Sequence, residues 1–107
     1  MKESYCIIFT TCGTKKEAQK ISRGLVEEKL AACVQTIDGE SCYEWKGRIF
    51  YEKEAVLFIK TKKNLYKKVE KFITENHSYE TPEILCSDVT DGSKRYLAWI
   101  SKNVKHG

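Results

Sequence analysis

The segment from Cys33 to Thr61 constrains the fold more than any other part of the chain. From Ala32 to Lys46 apolar and polar residues alternate, with Val34 and Thr36 before, and Ser41, Tyr43 and Trp45 after, an Asp38-Gly39 interruption. Alternation with period two is strand behaviour, because successive side chains leave a strand on opposite faces. Lys46-Gly47-Arg48 supplies a tight turn, and a second strand runs from Ile49 to Thr61 through the apolar run Ala55-Val56-Leu57-Phe58-Ile59. The two strands read as one hairpin.

That hairpin is too long for the body it belongs to. A strand from Cys33 to Lys46 extends about 45 Å, whereas a compact chain of 107 residues has a radius of gyration near ~13 Å and a body about 30 to 35 Å across. The tip must project, and it carries Tyr43, Trp45, Ile49, Phe50 and Tyr51. Exposed apolar patches of this kind mark contact surfaces, and the free edge of a strand is a template for pairing with another chain. Self-association through the arm follows. The alternative is an arm that folds back at Asp38-Gly39 and covers its own sheet.

The remaining elements complete a recognisable order. Tyr5 to Thr11 reads as a first buried strand that stops at Cys12-Gly13-Thr14. Thr14 and Glu17 have the spacing of a capping box, and Ala18, Ile21, Leu25 and Leu30 continue as a helical apolar stripe. Leu65, Val69, Phe72 and Ile73 mark a second amphipathic helix, capped by Asn64 and ending near Asn76-His77. Pro82 stands at or before a fourth strand containing Ile84, Leu85 and Val89. After Asp91-Gly92-Ser93, residues Tyr96, Leu97, Ile100 and Val104 indicate a short terminal helix. The order β-α-β-β-α-β plus a helix is the ferredoxin-like α+β pattern: one antiparallel sheet with two helices on one face, in a single domain over residues 1–107.

Composition narrows the function classes. Hydrophobic residues at 41% and charged residues at 32% suit a globular chain that folds. The net charge of +4 arises from 19 basic and 15 acidic residues scattered along the whole length. The densest basic run, Lys60 to Lys71, lies mainly along a helix and reads as a solvated face, so no nucleic-acid partner is assigned. No apolar stretch of membrane-spanning length is present. Five cysteines, an odd number without a CxxC pair or a leading secretory signal, argue against a disulfide scaffold and for a cytoplasmic protein. There is no phosphate-binding glycine loop, no arginine in Cys12-Gly13-Thr14-Lys15-Lys16 for acylphosphatase-type chemistry, and no RNA-binding aromatic signature.

Three blocks carry a family resemblance across nearly the whole chain. They are Glu28 to Val34 (EKLAACV), Ser41 to Ile49 (SCYEWKGRI) followed by Lys60-Thr61, and His77 to Ile84 (HSYETPEI). In order and spacing the sequence resembles the CutA, or divalent-cation tolerance, family. The resemblance implies a homotrimer whose long hairpins pair between subunits, an architecture similar to PII-type signalling proteins, a link to metal-ion response, and no established catalytic reaction. Gln35 and Ser78 depart from the family's usual Asn and Pro. Some relatives proposed to bind copper have a cysteine at the position of Thr10; here the nearby thiol is Cys12.

No cofactor is assigned; Cu(II) or another divalent cation is the candidate ion. The candidate ligands are Cys33 and His77, brought together in one chain or contributed by two, although a small strand cysteine is more often simply core. Trp45, Lys60, Tyr79 and Glu83 are the candidate lining of a ligand cleft at a subunit boundary. Lys60 and Glu83 equally suit an ion pair between strands, and Trp45 and Tyr79 equally suit interface packing. A regulatory sensor of PII type, binding a small ligand between subunits, is the alternative to the metal-response protein.

Overall fold

The computed structural model describes residues 3–107; Met1 and Lys2, which the single-domain expectation includes, lie outside the described residues. Four strands and three helices follow one another as β1 (Tyr5–Cys12), α1 (Lys15–Glu27), β2 (Cys33–Trp45), β3 (Arg48–Lys62), α2 (Tyr66–Asn76), β4 (Leu85–Val89) and α3 (Lys94–Lys102). A single 3-10 turn, Lys63–Leu65, leads into α2. The strands form one antiparallel sheet in the order β2-β3-β1-β4, the ferredoxin-like arrangement expected from the element order.

Alternation fixes which face is covered. On β1 the residues Cys6, Ile8, Thr10 and Cys12 are buried, and on β3 so are Ala55, Leu57, Ile59 and Thr61. These eight pair directly, Cys6 with Thr61 through Cys12 with Ala55, so they form one continuous inner face. Helix α1 lays Ala18, Ile21 and Leu25 on it, and α2 adds Val69 and Ile73. A one-residue slip of β1 against β3 would turn this whole set outward, which makes the register strongly specified.

The hairpin ladder runs unbroken from Cys33 paired with Lys60 to Trp45 paired with Arg48. Asp38-Gly39 therefore does not interrupt β2. Gly39 is needed instead for close packing, since a Cβ there would lie 2.9 Å from Val56 Cγ2. The turn comprises Lys46 and Gly47, both left-handed at φ 51° and 79°, which matches the twist of a two-residue hairpin. The fold-back alternative is not what the chain does: the molecule measures 48 × 25 × 21 Å, and no residue from Arg48 to Glu54 is buried.

Two caps differ from expectation. Thr14 Oγ1 accepts from the Glu17 N–H at 3.1 Å, as the first half of a capping box, but the Glu17 carboxylate turns away to Ser78. Asn64 does not cap α2; it lies within the 3-10 turn, and Leu65, which has no side-chain cap bond, takes the cap position. On β4, Leu85 faces outward and is 61% exposed, so Ile84 rather than Leu85 packs against the core.

Two measurements test this layering. Leu57 is fully buried at the centre of the inner face, so Leu57→Ala should cost about 2 to 5 kcal/mol in chemical denaturation. The Cys12 thiol is pushed from its ordinary value of 9.0 up to about 11, first by burial and then by the Glu17 and Glu54 carboxylates. Burial likewise pushes Cys6 up to about 12, with Cys86 adding to the shift. A group that holds its proton more tightly when folded contributes stability that is intact below the unfolded value and is lost as pH rises through the folded one. For Cys12 the loss begins near pH 9 and reaches about 2 kcal/mol by pH 11; a denaturation midpoint that stays flat between those values would contradict the assignment.

Candidate functional site

Chemistry-bearing side chains gather where β1 ends, α1 begins and the loop after α2 crosses over them. Strand β4 stops pairing with β1 at Phe9, and two residues further along the Thr11 carbonyl is taken by His77 instead. His77 follows α2 in extended conformation and its side chain is fully buried. Its Nε2 lies 2.6 Å from the Thr11 carbonyl oxygen, which can only accept, so Nε2 carries the hydrogen. Nδ1 accepts the Tyr79 N–H at 3.0 Å and lies 3.7 Å from Glu17 Oε1.

Glu17 and Cys12 complete this corner. The Glu17 carboxylate accepts the Ser78 N–H at 2.9 Å and the Ser78 hydroxyl at 3.1 Å, fastening the loop to the first turn of α1. Cys12, the last residue of β1, points inward with the rest of the buried set. Ligand atoms of Cys12, Glu17 and His77 lie within 4.8 Å of one another.

Tyr79 connects this corner to the hairpin. Its ring is tilted against His77 with centroids 4.8 Å apart, and its hydroxyl donates to Glu54 Oε2 at 2.8 Å. Ser41 donates to the other Glu54 oxygen at 2.6 Å, so one carboxylate joins both hairpin strands to the loop. Burial, and then the Glu54 hydrogen bond, raise the Tyr79 phenol above its ordinary value and keep it a donor. Gly13 sits beneath the hydroxyl; a Cβ there would approach it to 3.0 Å.

Beside Tyr79 an open cleft of about 900 Å³ runs along the outer face of the hairpin. Trp45, Tyr79 and Glu83 all line it, together with Tyr43, Glu52, Glu54 and Glu80. Three of the four residues expected to form a cleft are thus brought together. Lys60 is not. It lies six positions from Glu54 along β3, about 20 Å away, and its Nζ stands over the Tyr96 ring at 5.7 Å. Among the described residues Lys60 makes no ion pair with Glu83.

The structure does not bring Cys33 and His77 together within one chain. Cys33 pairs with Lys60, whereas His77 bonds Thr11, the partner of Val56. Four strand positions, about 13 Å, separate the two places along β3. The residues that do accompany His77 are Cys12 and Glu17. Alternation along β1 was the available signal for Cys12, because it continues the inward series Cys6, Ile8 and Thr10. Nothing in the local pattern marks Glu17, whose spacing from Thr14 suits a cap.

Comparison with known proteins bears on the chain as a whole. The family model described as CutA1 divalent ion tolerance protein matches residues 6–103. The Thermus thermophilus divalent-cation tolerance protein CutA is 33% identical over 98 residues, covering 91% of this chain and 95% of that protein. The chloroplastic CutA protein of Arabidopsis thaliana is 34% identical over 101 residues. That alignment covers 94% of this chain but 56% of the plant protein, and the chain spans about half the length of several such relatives, 52% for the mouse protein CutA. Among solved structures, the periplasmic divalent cation tolerance protein CutA of Archaeoglobus fulgidus superposes with a TM-score of 0.92 at 33% identity, covering 94% of this chain and 99% of that one. With the match extending over sequence and fold alike, this chain belongs to the CutA1 divalent ion tolerance protein family.

Proposed function

We propose that the protein acts as a homotrimer in the cellular response to divalent metal ions, as one CutA-like domain in a reducing compartment such as the cytoplasm, without a catalytic step. The observation that carries the assembly is the hairpin tip. Beyond Ala55 the ribbon has no helix beneath it, and Trp45, Ile49 and Tyr51 are 61%, 62% and 70% exposed. A two-stranded ribbon is marginal in water by itself, and each ring prefers to bury about 150 Å² or more. The outer edge of β2 is also unpaired, which gives a second chain backbone groups to bond. Five free cysteines suit a reducing environment. Among the described residues no helix is long and apolar enough to cross a membrane.

The proposed ligand position is the cleft lined by Trp45, Tyr79 and Glu83, with Lys60 reaching such a site only from a neighbouring subunit. Its lining holds Glu52, Glu54, Glu80 and Glu83 and no lysine or arginine. Such a surface attracts cations and repels phosphates. This favours the metal reading, with Cu(II) or another divalent cation, over a PII-like sensor of a nucleotide. His77 does not line this cleft and is kept as a separate candidate metal ligand, which Cys33 joins only across a subunit boundary.

In light scattering after size exclusion, the particle should weigh about three times the 12.4 kDa chain, and Ile49→Asp at the tip should reduce it toward the single-chain mass. A wild-type protein that runs at one chain mass would refute the assembly. In a thermal-shift screen Cu(II) or Zn(II) should raise the melting temperature, since a ligand of the native state stabilises it by mass action. Stabilisation by nucleotides and not by these cations would favour the sensor.

A further inference from the structure

We propose that Cys12 Sγ, the Glu17 carboxylate and His77 Nδ1 form a site for one borderline divalent cation of the zinc(II) class per chain. This rests on the metal-response reading above and gives it a place other than Cys33. The three side chains come from the end of β1, the first turn of α1 and the loop after α2, and their ligand atoms converge within 4.8 Å. Tetrahedral zinc with bonds of about 2.0 to 2.3 Å spaces its ligands about 3.5 Å apart, so a movement of about an ångström closes the set. Thiolate, imidazole and carboxylate together select zinc-like ions over magnesium or calcium, which take oxygen ligands.

The surroundings already orient the histidine. A metal-bound histidine normally donates its other ring N–H to a carbonyl or carboxylate, which fixes the ring and the free nitrogen. His77 already does this: Nε2–H points to the Thr11 carbonyl at 2.6 Å, and the lone pair on Nδ1, which lies 3.7 Å from Glu17 Oε1, is free of any proton of its own. Nδ1 is now held by the Tyr79 N–H two residues on, a single local bond from a loop without regular structure. Cys12 and His77 are closed off from solvent, and the Glu17 side chain is 16% exposed, so the ion would enter along Glu17. As the metal–sulfur bond forms, the Cys12 S–H bond breaks and its proton leaves to buffer.

Cobalt(II), titrated into the full chain under reducing but chelator-free conditions, is the probe. A thiolate-to-cobalt charge-transfer absorption should grow to one equivalent per chain, disappear on adding zinc(II) and persist in magnesium(II). Cys12→Ser should abolish the band with unchanged circular dichroism and particle mass. Glu17→Gln, which keeps the helix start and the side-chain shape, should weaken cobalt binding by at least the roughly tenfold that loss of an outer-shell partner costs and serves as the second variant should Cys12→Ser fold poorly. A band that survives in Cys12→Ser but vanishes in Cys33→Ser overturns this site and leaves the metal-response reading standing. Absence of cobalt and zinc binding in the wild type overturns both.

Discussion

The mismatch between a 15-residue strand and the helices available to cover it governs this molecule. Helices α1 and α2 bury the inner face of β1 and the C-terminal half of β3 from Ala55 onward, and there they run out. Strand β3 continues outward with β2 as a two-stranded ribbon, which accounts for a long axis of 48 Å against short axes of 25 and 21 Å. Backbone bonds within the ribbon are satisfied pairwise, but its side chains are not covered. The apolar and aromatic character of the tip is costly for a solitary chain and sensible for one that meets copies of itself. The cleft on the same ribbon inherits this dependence, because Trp45 and Tyr43 line it from the uncovered end.

At the base of the ribbon the organisation is electrostatic. Glu54 receives hydrogen bonds from Ser41 and Tyr79, and Glu17 receives two from Ser78. These two carboxylates fasten the 77–81 loop on either side, one to the hairpin and one to α1. Between them His77 is fully enclosed and its two nitrogens are spoken for by Thr11 and Tyr79. A loop that lacks helix or strand is thereby held in one position, which is what a cleft wall or a metal corner requires.

Where a local period sets an element, the sequence was legible. The buried strand from Tyr5 to Thr11, the stripe Ala18, Ile21 and Leu25, and the turn at Lys46-Gly47 all occur where composition, periodicity and turn chemistry place them. Misreadings arose where a distant contact overrides a local preference. Gly39 resembles a break but is small because Val56 lies close by in the ladder. Glu17 has capping-box spacing but finds Ser78, 61 residues away in sequence, as a better partner for its carboxylate. Asn64 is a good cap residue that the 3-10 turn displaced by one position. Trp45, Tyr79 and Glu83 of the candidate cleft fall within two of the runs that carry the family resemblance, Ser41 to Ile49 and His77 to Ile84, and all three line one cleft, whereas Lys60 lies outside it. The metal corner was not legible, because Cys12 meets His77 only through the crossover of the loop onto β1.

The central claim is that the ribbon tip is covered in the native particle although one chain cannot cover it. Native-state hydrogen exchange of the backbone amides between Tyr43 and Tyr51 tests this most directly. Protection comparable to that of Leu57 and Ile59 in the core is the expected result, since local fraying is suppressed only where side chains pack. Exchange of these amides as fast as in an unstructured peptide, while the core remains protected, would show the tip to be bare and would contradict the account.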